Sequence, residues 1–513
     1  MRRRAFLKGA AFSALSVFQR PARADVRQNA PVDVVRQFGF VPDGRTDNYS
    51  AFHRLADFAN RRGGGDFVFP PGEYFVQQYR TLPYGTVGAD VVRNSTLDGL
   101  DGLTLSGQGA RILLNGRFHR SGGAGSDGLR KGVHTVHFMP FDIRRSRNIL
   151  VQGFEVDGGA RDTTRDDAVH EGYAHLIALN TCENVELRDL DLHHGLSDGV
   201  YIGDDYALSG VLPGRVCRNV RMVNVSCRNN ARGGLAPLHV LGLSAVDCEF
   251  SGNGYPGPHR GHAPGFGIDI EPDRHQVGVN VDSKTGNLEF LRCTLNDNHS
   301  AILAAYVASF TGYCRFIDCT SRNGNNSDIH MILTWPGEGL LLQGGDHDAG
   351  RGCIYTSWQQ TGGRTRLKGL TLRSAHDFGL LHGHSGNLVE VEDCEIIATH
   401  REPTGGQFIF FSQDPGGGRR NKFLRNRIFI PAGRKHPESS PFDVEPVFHN
   451  TDLADNEYTT DLALPGEFFV RHFDQATCSV RNERFRGAFP GREDTIRPVF
   501  DQSHDTRLPF SSD

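Results

Sequence analysis

One short motif occurs five times between residues 199 and 332, and this repetition constrains the fold more than any other feature of the sequence. Each copy joins a turn to a run of alternating residues that is typical of a β-strand. The copies start 27 to 35 residues apart, a period that indicates a solenoid whose coils bury their apolar faces against one another. The five copies begin at Gly199, Gly234, Gly267, Ala301 and Asp328.

The composition agrees with a stack of short strands. The 513 residues include 62 glycines and only 38% hydrophobic residues, as tight turns between many strands require. Long helical patterns are nearly absent. The sequence therefore predicts an all-β protein, a parallel β-helix that grows along one axis.

The N-terminus has the features of a twin-arginine export signal. Arg3 and Arg4 precede an apolar run, and residues 22–24 (ARA) offer a cleavage site. We therefore expect the Tat machinery to be a partner and the mature protein to be periplasmic or secreted. No other segment has the ~20 apolar residues that span a bilayer. Removing five arginines and one lysine with residues 1–24 changes the formal charge from −4 to −10, which argues against nucleic acid as a partner.

The ten cysteines fit a buried ladder better than a set of disulfides. Five of them stand at the ends of alternating runs, at equivalent places in successive repeats. No pair has the spacing of a zinc site. One or more disulfides remain the alternative. The five are Cys227, Cys248, Cys293, Cys319 and Cys394.

A helix is expected to open the domain, with Asp47 or Asn48 as its N-cap and residues 63–65 (GGG) at its end. Two short strands follow in residues 67–76. Such a helix would cover the open end of the strand stack.

Residues 38–76 carry the motifs FGFVPDGRTDN and GGGDFVFPPGEYFV, which resemble the N-terminal signature of the pectate-lyase superfamily. The resemblance, which includes polygalacturonase-like and mannuronan-epimerase-like proteins, implies a right-handed parallel β-helix with three sheets and a polysaccharide in an outer groove. It does not fix the reaction, because hydrolases, lyases, epimerases and adhesins share this scaffold. We expect four segments: 1–24 signal peptide, 25–80 N-terminal cap and first coil, 81–431 β-helix, and 432–513 C-terminal cap and tail.

Alignment of the five repeats predicts which side chains share the outer wall. One column reads Tyr201, Ala236, Asp269, Leu303 and His330. The next column contains Glu271, which stands two residues after Asp269 on the same strand, about 6.6 Å along it. This pair of carboxylates is the strongest functional signal in the sequence.

Paired carboxyl groups suit glycoside hydrolysis, in which one protonates the leaving oxygen and the other acts as base. We assign Asp269 and Glu271 to these roles in either order, with Asp205 assisting. The expected sugar contacts are Tyr201, Arg232, His330, Asp198 and His239. Asp269→Asn should abolish activity and leave thermal stability near wild type. Arg232 has a structural alternative, an ion pair with Asp198 one coil earlier.

Other readings stay open at this stage. Asp204, Asp205 and Asp273 could instead hold Ca²⁺, which takes six to eight oxygen ligands. A calcium-dependent lyase or a C5-epimerase would follow from that site, and a non-catalytic glycan-binding β-helix is a further possibility. Gly203-Asp204-Asp205 resembles one polygalacturonase motif, but the Arg-Ile-Lys motif is missing, so only the scaffold is carried over from that family.

Overall fold

The computed structural model describes most of the chain between residues 30 and 499. The described residues are 30–77, 79–83, 95–115, 133–137, 139–161, 174–203, 216–254, 265–271, 285–304, 310–324, 329–336, 338–356, 362–375, 379–382, 386–399, 409–411, 419–429, 447–448, 450–459, 468–469, 471–472, 479–486 and 498–499. The predicted signal peptide, residues 1–24, lies outside them.

The described elements are two helices and a long series of strands. The helices are α1 (Val34–Phe38) and α2 (Tyr49–Arg62). In chain order the strands are β1 (Val32–Asp33), β2 (Gly65–Val68), β3 (Gly72–Gln77), β4 (Tyr79–Pro83), β5 (Leu97–Asp98), β6 (Asp101–Asn115), β7 (Val133–His137), β8 (Phe141–Arg144), β9 (Arg147–Asp157), β10 (Ile177–Asn180), β11 (Glu183–His193), β12 (Asp198–Gly203), β13 (Cys217–Arg228), β14 (Gly233–Pro237), β15 (Val240–Val246), β16 (Glu249–Ser251), β17 (Phe266–Ile270), β18 (Thr285–Leu291), β19 (Thr294–Asn296), β20 (Ser300–Ala304), β21 (Phe310–Ile317), β22 (Thr320–Arg322), β23 (Ile329–Leu333), β24 (Gly339–Gln343), β25 (Asp346–Asp348), β26 (Cys353–Tyr355), β27 (Arg364–Lys368), β28 (Thr371–Ser374), β29 (Leu380–His382), β30 (Leu388–Glu392), β31 (Glu395–Ala398), β32 (Ile409–Phe411), β33 (Asn421–Leu424), β34 (Arg427–Phe429), β35 (Val447–Phe448), β36 (Thr451–Ala454), β37 (Glu457–Thr459), β38 (Phe468–Phe469), β39 (Arg471–His472), β40 (Ser479–Arg481), β41 (Arg484–Arg486) and β42 (Pro498–Val499).

The predicted capping helix is confirmed as α2. Asn48 stands at its N-cap, and Gly63 ends it in the left-handed conformation that glycine adopts without a steric penalty. Phe52 and Leu55 are buried on the face that packs onto the first strands. Among the described residues, neither helix has the length and apolarity to cross a bilayer.

The strands form a right-handed parallel β-helix, as the sequence predicts. A thirteen-stranded parallel sheet runs in the order β5-β8-β10-β12-β14-β17-β20-β23-β26-β29-β32-β35-β39. The rest of each coil belongs to a twenty-five-stranded sheet that bends at a corner. The long strand β13 pairs with both β15 and β16. One strand of this coil therefore passes through the corner, whereas in the next coil the corner separates two shorter strands.

Parallel stacking extends past residue 431, where the fading apolar repeats suggested a boundary. β36 pairs with β33 and β40 pairs with β36 in the same sheet, and β41 stacks on β37. The later coils keep the pairing because it uses backbone groups, which do not depend on a regular apolar pattern.

The cysteine ladder is confirmed for the central coils. The nine cysteines among the described residues are all free and buried, so the disulfide alternative is wrong for them. Cys248, Cys293 and Cys319 occupy the same position in consecutive coils, each directly after a residue with positive φ. Cys227 does not belong to this column, because its register partner in the next coil is Phe250.

The alignment that placed His330 on the outer wall was wrong. The observed register pairs Leu303 with Ile332, so the fifth repeat is displaced by two residues from the predicted alignment. His330 is buried, and its Nε2 lies 2.8 Å from the hydroxyl of Ser321 on the neighbouring sheet. His347 of the next coil contacts the same hydroxyl through Nδ1 at 2.9 Å. These three residues form a polar cluster between the sheets.

This cluster should make stability depend on pH. Burial lowers the pKa of His330 to about 3 and that of His347 to about 4, from an ordinary value of 6.5. The unfolded chain therefore binds protons that the folded chain does not, and the free energy of unfolding falls as pH decreases from about 6.5 towards 4. We expect each histidine to contribute up to about 1.4 kcal/mol per pH unit in this window.

Urea denaturation at several pH values between 7.5 and 4 measures this slope. The control combines His330→Gln with His347→Asn, whose amides keep a polar atom near the bonded ring nitrogens and do not titrate. The double variant should lose part of the acid sensitivity of the wild type. An identical slope in both proteins would contradict the assignment.

Candidate functional site

A set of charged side chains lies on the outward face of the thirteen-stranded sheet, around β12, β14 and β17. Val200 and Ile202 of β12 point into the main core, whereas Tyr201 belongs to a separate cluster on the outer face. Tyr201 is in register with Ala236 of the next coil. Asp269 of β17 is in register with Leu303. The sheet thus presents one outward column across successive coils.

Arg232 bridges two carboxylates of this face. Its Nη1 lies 2.7 Å from Oδ2 of Asp198, and its Nη2 lies 3.3 Å from Oδ2 of Asp269. Arg232 stands in the turn before β14, and its two partners lie on the strands on either side of β14. The pairing of Arg232 with Asp198, one coil earlier, is confirmed, and the structure adds Asp269 as a second partner.

His175 completes the group. Its Nδ1 lies 3.1 Å from Oδ2 of Asp198, the same oxygen that Arg232 contacts. Its ring stacks on Tyr201 with a centroid distance of 4.4 Å and an interplanar angle of 17°. We call Asp198, Arg232, Asp269, His175 and Tyr201 the outer-face cluster.

The cluster is deeply buried, which makes its charges costly unless they are paired. Asp198 is 0% exposed and Asp269 is 1% exposed. Burial opposes ionisation of Asp198, but the Arg232 guanidinium and His175 outweigh it and hold the pKa of this carboxyl below its ordinary value. The Arg232 side chain keeps 15% exposure, so the cluster extends to the surface.

Glycine makes room for the Asp198 carboxylate. A Cβ at Gly233, the register neighbour of Asp198, would lie 2.8 Å from its Oδ1. Among the described residues, no hydrogen-bond partner meets this oxygen, although it is buried. The carboxylate therefore has one oxygen bound by Arg232 and His175 and a second oxygen buried against Gly233.

Stacked amides fix the turns that lead into these strands. The side-chain oxygen of Asn230 accepts the Gly195 N–H at 2.8 Å, and its amide nitrogen donates to Asn253 at 3.1 Å. Asn253 donates in turn to Asn298 at 3.0 Å. This buried ladder lies two residues before Arg232 and holds the turn from which that side chain projects.

A second buried carboxylate on the same face differs in its partners. Asp142 of β8 accepts two hydrogen bonds from Arg144 of its own strand, at 3.0 and 2.8 Å, and one from the Thr96 hydroxyl at 2.8 Å. The Arg144 guanidinium therefore contacts the Asp142 carboxylate. In the outer-face cluster, by contrast, the Arg232 guanidinium contacts two carboxylates, those of Asp198 and Asp269.

The other predicted site residues have different positions. Glu271 directly follows the end of β17 and is partly buried. His239 is buried at the turn after β14, where its backbone N–H donates to Ile202. His330 lies between the sheets, as described above. Asp204, Asp205 and Asp273, which are also the candidate calcium ligands, lie outside the described residues.

Sequence reasoning missed His175. The repeat was traced from Gly199 onward, and residues 174–180 (AHLIALN) belong to the preceding coil. β10 pairs with β12 from Ile177 and Val200 onward, which brings His175 beside Asp198. The apolar residues 177–180 indicate a strand of the same sheet. A histidine two residues before them is therefore expected at the start of that strand.

No family model and no curated protein sequence matches the chain. Solved structures with a similar course of the chain include the Azotobacter vinelandii mannuronan C-5 epimerase AlgE4 A-module, at 10% identity and a TM-score of 0.37, covering 91% of this chain and 97% of that one. The surface adhesin PfbA of Streptococcus pneumoniae has 10% identity, a TM-score of 0.42 and coverages of 89% and 90%. The tailspike of E. coli bacteriophage HK620, solved with a pentasaccharide, has 9% identity, a TM-score of 0.46 and coverages of 93% and 81%.

Proposed function

We propose that this protein is an enzyme that hydrolyses a polysaccharide at the outer-face cluster. The observation that supports this most directly is the bridge from Arg232 to two buried carboxylates, Asp198 and Asp269. Neighbouring positions in the same outward column hold Ala178, Ala236 and Leu303, so the fold itself does not require charge there. Buried, paired charges at such a place are typical of functional sites.

The proposed roles keep the pair of carboxyl groups predicted from the sequence. Asp269, held by Arg232, acts as the base that takes a proton from the attacking water. Glu271, which is partly exposed directly after β17, protonates the glycosidic oxygen as the bond to the anomeric carbon breaks and the water oxygen bonds to that carbon. Asp198 is ionised, because its pKa is lowered, and it positions Arg232 and His175. His175, 4% exposed, contacts Asp198 and stacks on Tyr201, which is 7% exposed, so these two rings support the charged groups rather than contact the sugar.

One observation favours a second reaction. The stacked His175 and Tyr201 lie beside Arg232, and proton abstraction next to a uronate carboxylate needs a base together with a nearby cation. This arrangement suits β-elimination or C5-epimerisation of an acidic polysaccharide. Calcium dependence would belong to this alternative.

Product analysis separates the two reactions. The purified chain is incubated with neutral and acidic polysaccharides, with and without Ca²⁺. The products are read by mass spectrometry, and by proton NMR because epimerisation does not change the mass. We expect fragments heavier by one water per cleavage. Unsaturated fragments without added water would replace hydrolysis by elimination. Saturated glycan binding without any cleavage or epimerisation would overturn the enzymatic proposal in favour of a binding protein.

Export remains part of the proposal. The twin-arginine motif, the apolar run and the small residues before position 25 support it, together with the excess of acidic residues in the remainder of the chain. A periplasmic or secreted location would bring the enzyme to extracellular polysaccharide.

A further inference from the structure

A second cluster, with no part in the proposed reaction, lies at the ends of β9 and β11 in the twenty-five-stranded sheet. Asp157 ends β9 and His193 ends β11, and the two are register neighbours in adjacent coils. His194 follows with a φ of 53°. One potential ligand atom from each of these three residues lies within 4.8 Å of the other two.

The ring nitrogens of this cluster face one another. Nδ1 of His193 lies 2.6 Å from Nδ1 of His194 and 3.9 Å from Oδ1 of Asp157. In a tetrahedral zinc site with bonds of about 2.0–2.1 Å, neighbouring ligand atoms stand about 3.3 Å apart. The two observed distances lie on either side of that value. All three ligand atoms lie within 4.8 Å of one another, so adjustment of the side chains would bring them to bonding distance of one ion.

The other ring nitrogen of His193 contacts a carboxylate. Its Nε2 lies 3.2 Å from Oε1 of Glu155, and Arg111 holds that carboxylate through Nε at 2.7 Å. Metal-binding histidines usually give their other ring nitrogen to a carboxylate in this way, which fixes the ring and the tautomer. Here Nε2 of His193 faces the Glu155 carboxylate, and Nδ1 faces His194 and Asp157.

Two arginines orient the Asp157 carboxylate. Arg111 and Arg161 contact Oδ2 of Asp157, at 3.1 and 3.0 Å, so Oδ1 is the oxygen that faces His193.

We propose that Asp157, His193 and His194 bind one divalent transition-metal ion such as Zn²⁺. Two imidazoles and one carboxylate are the donors that such ions prefer, and they leave one tetrahedral position for water or a ligand. The site adjoins a groove of about 600 Å³ that Arg111, Glu155, Asp191, Arg228 and Glu249 help to line. Two of these residues, Arg111 and Glu155, contact the ligands directly.

Metal binding to the full chain tests the proposal without any assay of polysaccharide turnover. After treatment with a chelator and removal of the chelator, the protein is titrated with Zn²⁺ by calorimetry, and with Co²⁺ while the visible absorption of tetrahedral cobalt is followed. We expect one ion per chain and a rise in the unfolding temperature with Zn²⁺ concentration. Absence of saturable binding would overturn the proposal.

Three substitutions locate the ion. His194→Ala should weaken Zn²⁺ binding about 100-fold, and Glu155→Gln should weaken it about 10-fold while leaving all three ligands in place. His299→Ala, which removes an exposed histidine elsewhere on the chain, is the matched control and should bind as the wild type does. Circular dichroism checks that each variant is folded. Equal affinities for all four proteins would place the ion elsewhere and refute the assignment.

Discussion

Asp269→Asn is expected to reduce turnover by about 10²- to 10⁴-fold, because an amide cannot take the proton of the attacking water. The sequence alone predicts that this variant keeps thermal stability near wild type, and the structure changes that expectation. Since Asp269 is 1% exposed and paired with Arg232, the substitution should also lower the free energy of unfolding, by about 1–3 kcal/mol. The loss stays moderate because Arg232 keeps its contact of 2.7 Å with Asp198.

The measurement compares initial rates on the polysaccharide that the wild type cleaves, together with urea denaturation of each protein. Asp247→Asn is the matched control, because Asp247 pairs with Arg292 on the surface, where both side chains are about half exposed. It should retain wild-type rate and stability. Retained turnover in Asp269→Asn would remove Asp269 from the mechanism, whatever the effect on stability.

Arg232→Met should produce the largest loss of stability. The substitution keeps an aliphatic chain but removes the only guanidinium that the described structure shows between Asp198 and Asp269, both of which are buried. Removing one member of a buried ion pair costs about 3–5 kcal/mol, because the two buried carboxylates lose the guanidinium that offsets their desolvation. Activity should fall as well, since Asp269 loses the side chain that holds it.

Urea denaturation of Arg232→Met and Arg292→Met measures the difference between a buried and an exposed ion pair. Arg292→Met breaks the surface pair with Asp247 and should cost no more than about 1 kcal/mol. Adding Asp198→Asn to Arg232→Met should restore part of the stability by neutralising one buried carboxylate. Similar losses in the two arginine variants would show that the bridge contributes no more than a surface pair does.

The architecture was predictable because it follows from local and periodic features. The turn motifs, the spacing of the repeats and the cap before α2 are all encoded within a few tens of residues. The same periodicity correctly predicted the ladder of Cys248, Cys293 and Cys319, since equivalent positions in successive coils stack directly.

Part of the candidate site was also predictable. Asp198, Tyr201, Arg232 and Asp269 were all expected on the outer wall, and the structure brings these four together. They lie in coils whose glycine-led repeats align without ambiguity. For Glu271, the structure adds only that the residue follows β17 and is partly buried, so its pairing with Asp269 stays a prediction.

His330 and His175 show where periodicity stops being sufficient. The fifth repeat follows after a shorter interval, and the pairing of β23 with β26 contains an irregularity between Ile329 and Met331, so counting residues gave the wrong register. A shift of two residues alone leaves a side chain on the same face of a strand. The irregularity between Ile329 and Met331 interrupts the alternation, so His330 lies between the sheets instead of on the outer wall. His175 escaped notice because it precedes the first aligned repeat.

The amino-acid pattern was sufficient for the solenoid, its capping helix and the wall that carries charge, because strands, turns and caps depend on neighbours in the chain. The bridge through Arg232, the stacking of His175 on Tyr201 and the meeting of Asp157 with His193 and His194 were decided only by tertiary structure. Each joins residues of different coils, and the lengths of the intervening loops, which vary from coil to coil, set which side chains meet. Contacts between coils depend on backbone register, and register is a property of the assembled stack rather than of any single repeat.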